Sequence, residues 1–157
     1  MRRIVLSIVV VVALGCARTP KQSSISPVAV NSNLDSLAAQ INWPETPIHV
    51  QWERFTINDH FNEEGLVAVL HYPENTAENL RRVHLGDDFP ASSIPPRVIR
   101  NWYSDELRAH FKPSLNAEGN YSLQVPAYGV EAFAKGGLRQ GFCFVAGDRV
   151  WVYLYSM

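Results

Sequence analysis

Apolar positions recur along this chain at two different periods, and the switches between them mark its elements. From Arg139 to Ser156 (RQGFCFVAGDRVWVYLYS) two β-rich runs flank Gly147-Asp148, a pair suited to the positive φ angles of a two-residue hairpin turn. That turn sets Val145 opposite Val150, Phe144 opposite Trp151, Cys143 opposite Val152 and Phe142 opposite Tyr153. One face then carries Phe142, Phe144, Trp151, Tyr153 and Tyr155, and the other Cys143, Val145, Val150, Val152 and Leu154. Both faces are apolar, so the hairpin is either covered on two sides or lends its aromatic side to a partner. Trp151, Tyr153 and Tyr155 are the candidate partner-binding residues. Each joins a large apolar body to a polar handle, which suits a surface that stays wet or meets another molecule. The competing reading makes this aromatic face the main core beneath the helices.

The same reasoning sets out the rest of the chain. Ile48 to Thr56 alternates, with Ile48, Val50 and Trp52 on one face and His49, Gln51 and Glu53 on the other, which predicts a half-exposed strand. Asn58 to Glu64 reads as a loop, and the continuous apolar run Leu66 to Tyr72 as a buried central strand. Asn33 or Asp35 is placed to cap a short helix through Ile41 whose apolar positions are Leu34, Leu37, Ala38 and Ile41; Trp43-Pro44 ends it. Asn75 and Glu78 have capping-box spacing before a helix reaching about His84, with Leu80 and Val83 inward. Ile99, Trp102, Tyr103, Leu107 and Phe111 form a helical stripe over Val98 to Phe111, which Ser104 is placed to break in two. Tyr121 to Val125 reads as a strand and Pro126 to Lys135 as a helical turn. Between them all runs Gly86 to Pro96 (GDDFPASSIPP), a loop long enough to suggest a function of its own. The order predicts an α+β fold: a mainly antiparallel sheet of about five strands with a C-terminal β-hairpin and helices packed on one face. What covers the second apolar face of the hairpin is left open.

The first residues follow a different logic. Met1-Arg2-Arg3 precedes an apolar run, Ile4 to Leu14, of secretory length and too short to span a bilayer. It ends in Ala13-Leu14-Gly15-Cys16, which resembles the lipobox of bacterial lipoproteins, although leucine is commonest where Ala13 stands and a small residue where Leu14 stands. The resemblance implies a signal peptide over residues 1–15 and lipidation of Cys16 as the new N-terminus. Ala17, in place of the aspartate that retains diderm lipoproteins at the inner membrane, implies the periplasmic side of the outer membrane. Several acyl chains would make that anchor stable. Residues 16–31 are rich in serine and proline, as a flexible tether would be, and residues 32–157 hold a single globular domain.

Composition then narrows the function. Apolar residues make up 46% of the chain and charged residues 18%, which is the balance of a folding chain. Losing residues 1–15 takes Arg2 and Arg3 from the 14 basic residues, leaving 12 against 15 acidic and a net charge of −3. That gives no reason to expect nucleic acid as a partner. The folded part holds one thiol, Cys143, so no internal disulfide can form, and its place between two phenylalanines in a strand marks it as buried and inert. His49, His60, His71, His84 and His110 have no partner at metal-ligand spacing; Glu106 with His110, and His84 with Asp87 and Asp88, are the nearest candidates and fall short of a site. No serine lies in a nucleophile elbow, no glycine-rich loop precedes a helix, and nothing points to a cofactor. Arg81, Arg82, Arg97, Arg100 and Arg108 cluster among carboxylates in the middle third, which reads as internal ion pairing. The functional expectation is a membrane-anchored lipoprotein that binds an envelope protein or other envelope component. The alternatives are a small envelope hydrolase with a site in the 86–96 loop, and an inhibitor or immunity lipoprotein.

Overall fold

The computed structural model describes residues 30–58, 60–91, 93–114 and 119–157. In chain order the elements are α1 (Leu34–Ala38), β1 (His49–Asn58), β2 (Glu63–His71), α2 (Thr76–His84), α3 (Asp105–Arg108), β3 (Phe111–Pro113), β4 (Tyr121–Leu123), β5 (Gln140–Ala146) and β6 (Arg149–Tyr155), with one turn of 3₁₀ helix at Pro96–Val98. The fold is α+β, and every strand pairing is antiparallel. The main sheet has four strands in the order β1-β2-β6-β5, and β3 with β4 forms a separate two-stranded sheet.

The C-terminal hairpin takes the register that its turn dictates. Val145 pairs with Val150, Phe144 with Trp151, Cys143 with Val152 and Phe142 with Tyr153. Gly147 supplies the turn with φ +62°, a conformation that side-chain-bearing residues enter at a cost. β2 lies between β1 and β6, so Leu66 to Leu70 are buried from both sides, as their unbroken apolar run requires.

Two covers close the sheet. Against one face pack Leu37 and Ile41 from α1 and its following turn, Ala77 and Leu80 from α2, and Phe133 and Leu138 from the segment before β5. The other face, carrying Val67, Val69, Phe144, Trp151 and Tyr153, lies under the excursion from α2 to β5, through Ala91, Ile94, Val98, Tyr103, Leu107 and Phe111. This answers the question that the two apolar faces of the hairpin pose. Both are core.

Several local expectations give way to tertiary geometry. Residues 98–111 form no continuous helix. Ile99 (φ −92°, ψ 113°) and Ser104 (φ −60°, ψ 157°) are extended, and only Asp105–Arg108 is α-helical. Ser104 does cap that turn, its hydroxyl accepting from the Leu107 N–H at 3.2 Å. Asn33 caps α1 by accepting from Ser36 N–H at 2.7 Å, but Asn75 sits at φ +66° and its side chain caps nothing. Glu78 turns instead to Arg81, one turn on, whose Nε donates at 2.8 Å. Val83 is 70% exposed rather than inward, because α2 meets the sheet through Ala77 and Leu80 alone. Ile48 lies just before β1 and is likewise exposed.

Candidate functional site

The aromatic face is sealed at its centre, and its larger opening lies at the end that carries Tyr155. Trp151 is its centre, 0% exposed, with the rings of Tyr103, Phe111, Phe142, Phe144 and Tyr153 packed around it at centroid distances of 5.3–6.4 Å. Along β6 this cluster continues to Tyr153 and then Tyr155, whose rings stack at 5.3 Å. Trp151 is therefore withdrawn from any partner, Tyr153 is 5% exposed, and Tyr155 is half-buried. The three share a face, as their spacing requires, but only the last two reach the surface.

Where they do so, a groove of about 480 Å³ lies between the sheet and the excursion. Its aromatic side consists of Phe142, Tyr153 and Tyr155, with Phe142 edge-on to Tyr153 at 5.9 Å. Ile57 at the end of β1, Ile94 and Pro95 from the long loop, and Gly141 complete the apolar lining. Glu63, at the start of β2, and Arg97, in the 3₁₀ turn, bring the charges. The volume is in the range of small-ligand pockets, and the composition, apolar with a few convergent polar groups, is theirs too. The long loop that the sequence singles out thus forms one wall. Phe89 and Ala127, and Ile94 and Tyr121, make bridges that hold that loop against the segment around β4.

A buried ion pair fixes the excursion to the sheet behind the groove. Arg100 Nε lies 3.2 Å from Glu53 Oε2, with side chains only 18% and 10% exposed. The same oxygen accepts from Trp102 Nε1 at 3.1 Å, and the Arg100 guanidinium sits 4.4 Å above the centre of the Phe55 ring. Phe55 in turn stacks on Tyr153 at 6.4 Å. Glu53, on the half-exposed side of its predicted strand, is thus recruited by residues nearly fifty positions away.

The histidines divide. His49 and His71 face each other across β1 and β2 at 5.3 Å, a pairing that sequence spacing alone does not reveal. His71 also faces Arg149 on β6. Burial lowers the His71 pKa, the charges of Arg149 and His49 lower it further, and Asp148 opposes them. Among the described residues no three His, Cys, Asp or Glu side chains converge as a metal site. Cys143 is fully buried on the helical face, its Sγ 3.4 Å from the Gly129 carbonyl, and burial pushes its thiol pKa well up, with Glu131 adding to the rise. It has the environment of an inert thiol.

Of the arginines expected to pair internally, Arg81, Arg100 and Arg108 do so, with Glu78, Glu53 and Asp105. Arg97 instead turns to the groove, its NH1 donating to the Ile57 carbonyl at 3.2 Å. Arg97, expected in an internal ion pair, and Glu63 are charged groove residues that the sequence does not mark as a site. The available signal was the long loop immediately before Arg97. Ser93, in that loop, also lines the groove at φ +62°, but among the described residues no histidine or cysteine lines it beside this serine. Cys16, the leader and nearly all of the tether lie outside the described residues. No helix among the described residues is long and apolar enough to cross a membrane. No protein-family model matches the chain, and neither do any curated protein or solved structure.

Proposed function

We propose that this protein is a lipid-anchored binding module on the periplasmic side of the outer membrane, and that its ligand or partner occupies the aromatic groove. The groove carries this reading: Phe142, Tyr153 and Tyr155 line a preformed opening at the edge of a face whose centre is closed. Rigid aromatic surface beside a few polar groups is a common basis of recognition, and a preformed site loses little entropy on binding. Binding is favoured over hydrolysis because, among the described residues, Ser93 has no histidine or cysteine beside it in the groove to activate it. The anchor rests on the leader and on Cys16.

Two measurements test the two halves. Radiolabelled palmitate should enter the wild-type protein and be lost in Cys16→Ser, which should also leave the membrane fraction. Equal membrane retention would remove the anchor. A photo-cross-linking phenylalanine analogue at Tyr155 should give a discrete adduct in intact cells, whereas the same probe at exposed Arg82, away from the groove, should give none. The same adduct pattern from both positions, or none from Tyr155, would remove the groove as the binding site.

A further inference from the structure

Two unlike side-chain charges, Arg97 and Glu63, line the groove and form no ion pair with each other. Among the described residues Arg54, Arg81, Arg100, Arg108 and Arg149 each find a carboxylate, whereas neither Arg97 nor Glu63 enters any ion pair. Arg97 is held by the Ile57 carbonyl, which leaves most of its donors available. Tyr153 lines the same groove as Arg97, and burial raises the pKa of its hydroxyl while the positive charge of Arg97 acts in the opposite sense. That hydroxyl makes no hydrogen bond among the described residues. Arg97 and Tyr153 can therefore both donate to one anionic group, and Arg97 can do so through two N–H groups at once.

A ligand with only a negative charge would gain Arg97 and meet repulsion from Glu63. A ligand with only a positive charge would meet the reverse. We infer that the groove binds a small apolar zwitterion, of the size of a dipeptide, whose carboxylate meets Arg97 and the Tyr153 hydroxyl, whose ammonium meets Glu63, and whose apolar side chains lie on Phe142 and Tyr155. The volume of about 480 Å³ accommodates a molecule of that size. This inference rests on the groove being the binding site and adds the chemistry of its occupant.

The experiment is titration calorimetry on the full-length protein in detergent, with leucyl-phenylalanine and two blocked forms of it. Acetylation removes the positive end; amidation removes the negative end. The free dipeptide should bind at least about tenfold more tightly than either blocked form, since each lost charge pair costs on the order of a tenfold change in Kd. Arg97→Gln should weaken the free and the acetylated peptide about tenfold and leave the amide unchanged. Glu63→Gln should weaken the free peptide and the amide and leave the acetylated form unchanged. Glu63→Gln is isosteric, Arg97→Gln shortens an exposed side chain, and circular dichroism verifies that the variants fold. Equal binding of all three peptides, losses that ignore which end is blocked, or no binding by any of them would overturn the zwitterion. If the Tyr155 adduct persists in that event, the groove reading stands alone. If it too is missing, both readings fall.

Discussion

The two faces of the central sheet are closed by different means. The helical face is covered by α1, α2 and the turn around Phe133, whose backbone hydrogen bonds are largely local. The aromatic face is covered by a long excursion with one 3₁₀ turn, a four-residue helix and a three-residue strand pair. Much of that excursion's backbone is satisfied only at long range, as when Ile94 and Tyr121 exchange hydrogen bonds at 2.8 and 2.9 Å. Short helices nucleate poorly in isolation, and irregular segments have still less local support. The aromatic face therefore depends on packing for its very shape. It is also the face that carries the groove, as expected where irregular segments are positioned by a rigid scaffold.

If packing holds the aromatic face, its central ring is the place to break it. Trp151→Ala should cost about 3–5 kcal/mol and lower the melting temperature by about 10–20 °C. A melting curve close to wild type would show that the excursion does not rest on this ring. Trp151→Phe sharpens the point. The Trp151 Nε1 is buried without an acceptor, so phenylalanine gives up volume but no hydrogen bond, and the loss should be clearly smaller.

Next in size is Gly141→Ala, beside the groove. Gly141 has φ +142°, and a Cβ there would lie 1.9 Å from the Tyr153 carbonyl oxygen. Strain and clash together should cost about 2–3 kcal/mol in urea denaturation. An unchanged midpoint would mean that β5 and β6 can part here without penalty.

Glu53→Gln separates the two faces directly. It removes one charge from a pair that is mostly buried and leaves Arg100 uncompensated, for a loss of about 2 kcal/mol. The damage should be local. Limited proteolysis should cut within residues 86–120 sooner than in wild type, while Cys143, on the opposite face, stays closed to thiol reagents. Labelling of Cys143 at the same rate as the cutting would show that the faces open together, which would end the distinction drawn between them.

The smallest effect is expected from pH. The folded-state pKa of His71 lies below the ordinary histidine value of about 6.5. Between the two values the unfolded chain binds a proton that the folded chain does not, so stability is full above about pH 6.5 and declines as pH falls towards the folded pKa. His71→Gln should flatten the dependence of the urea midpoint between pH 7.5 and 5.5. A slope identical to wild type would assign the dependence to other groups.

The sequence by itself determined what depends on near neighbours. The hairpin register follows from a two-residue turn and the alternation of a pleated strand, so it was legible residue by residue, as were the buried strand beginning at Leu66 and the Ser104 cap, while Asn33 was one of two residues offered as the cap of α1. The aromatic stripe on β6 was equally legible, but not its division into core at Trp151 and groove at Tyr155, because burial depends on what lies above. Only the tertiary structure decided that. It also decided the excursion. Ile99, Trp102, Tyr103, Leu107 and Phe111 have helical spacing, yet Trp102 and neighbouring Arg100 are drawn to Glu53 on β1, and Ile99 and Ser104 adopt extended backbone. The groove's charges were illegible for the same reason. Arg97 and Glu63 are brought to one site by contacts between segments some thirty residues apart, and no local pattern records such a meeting.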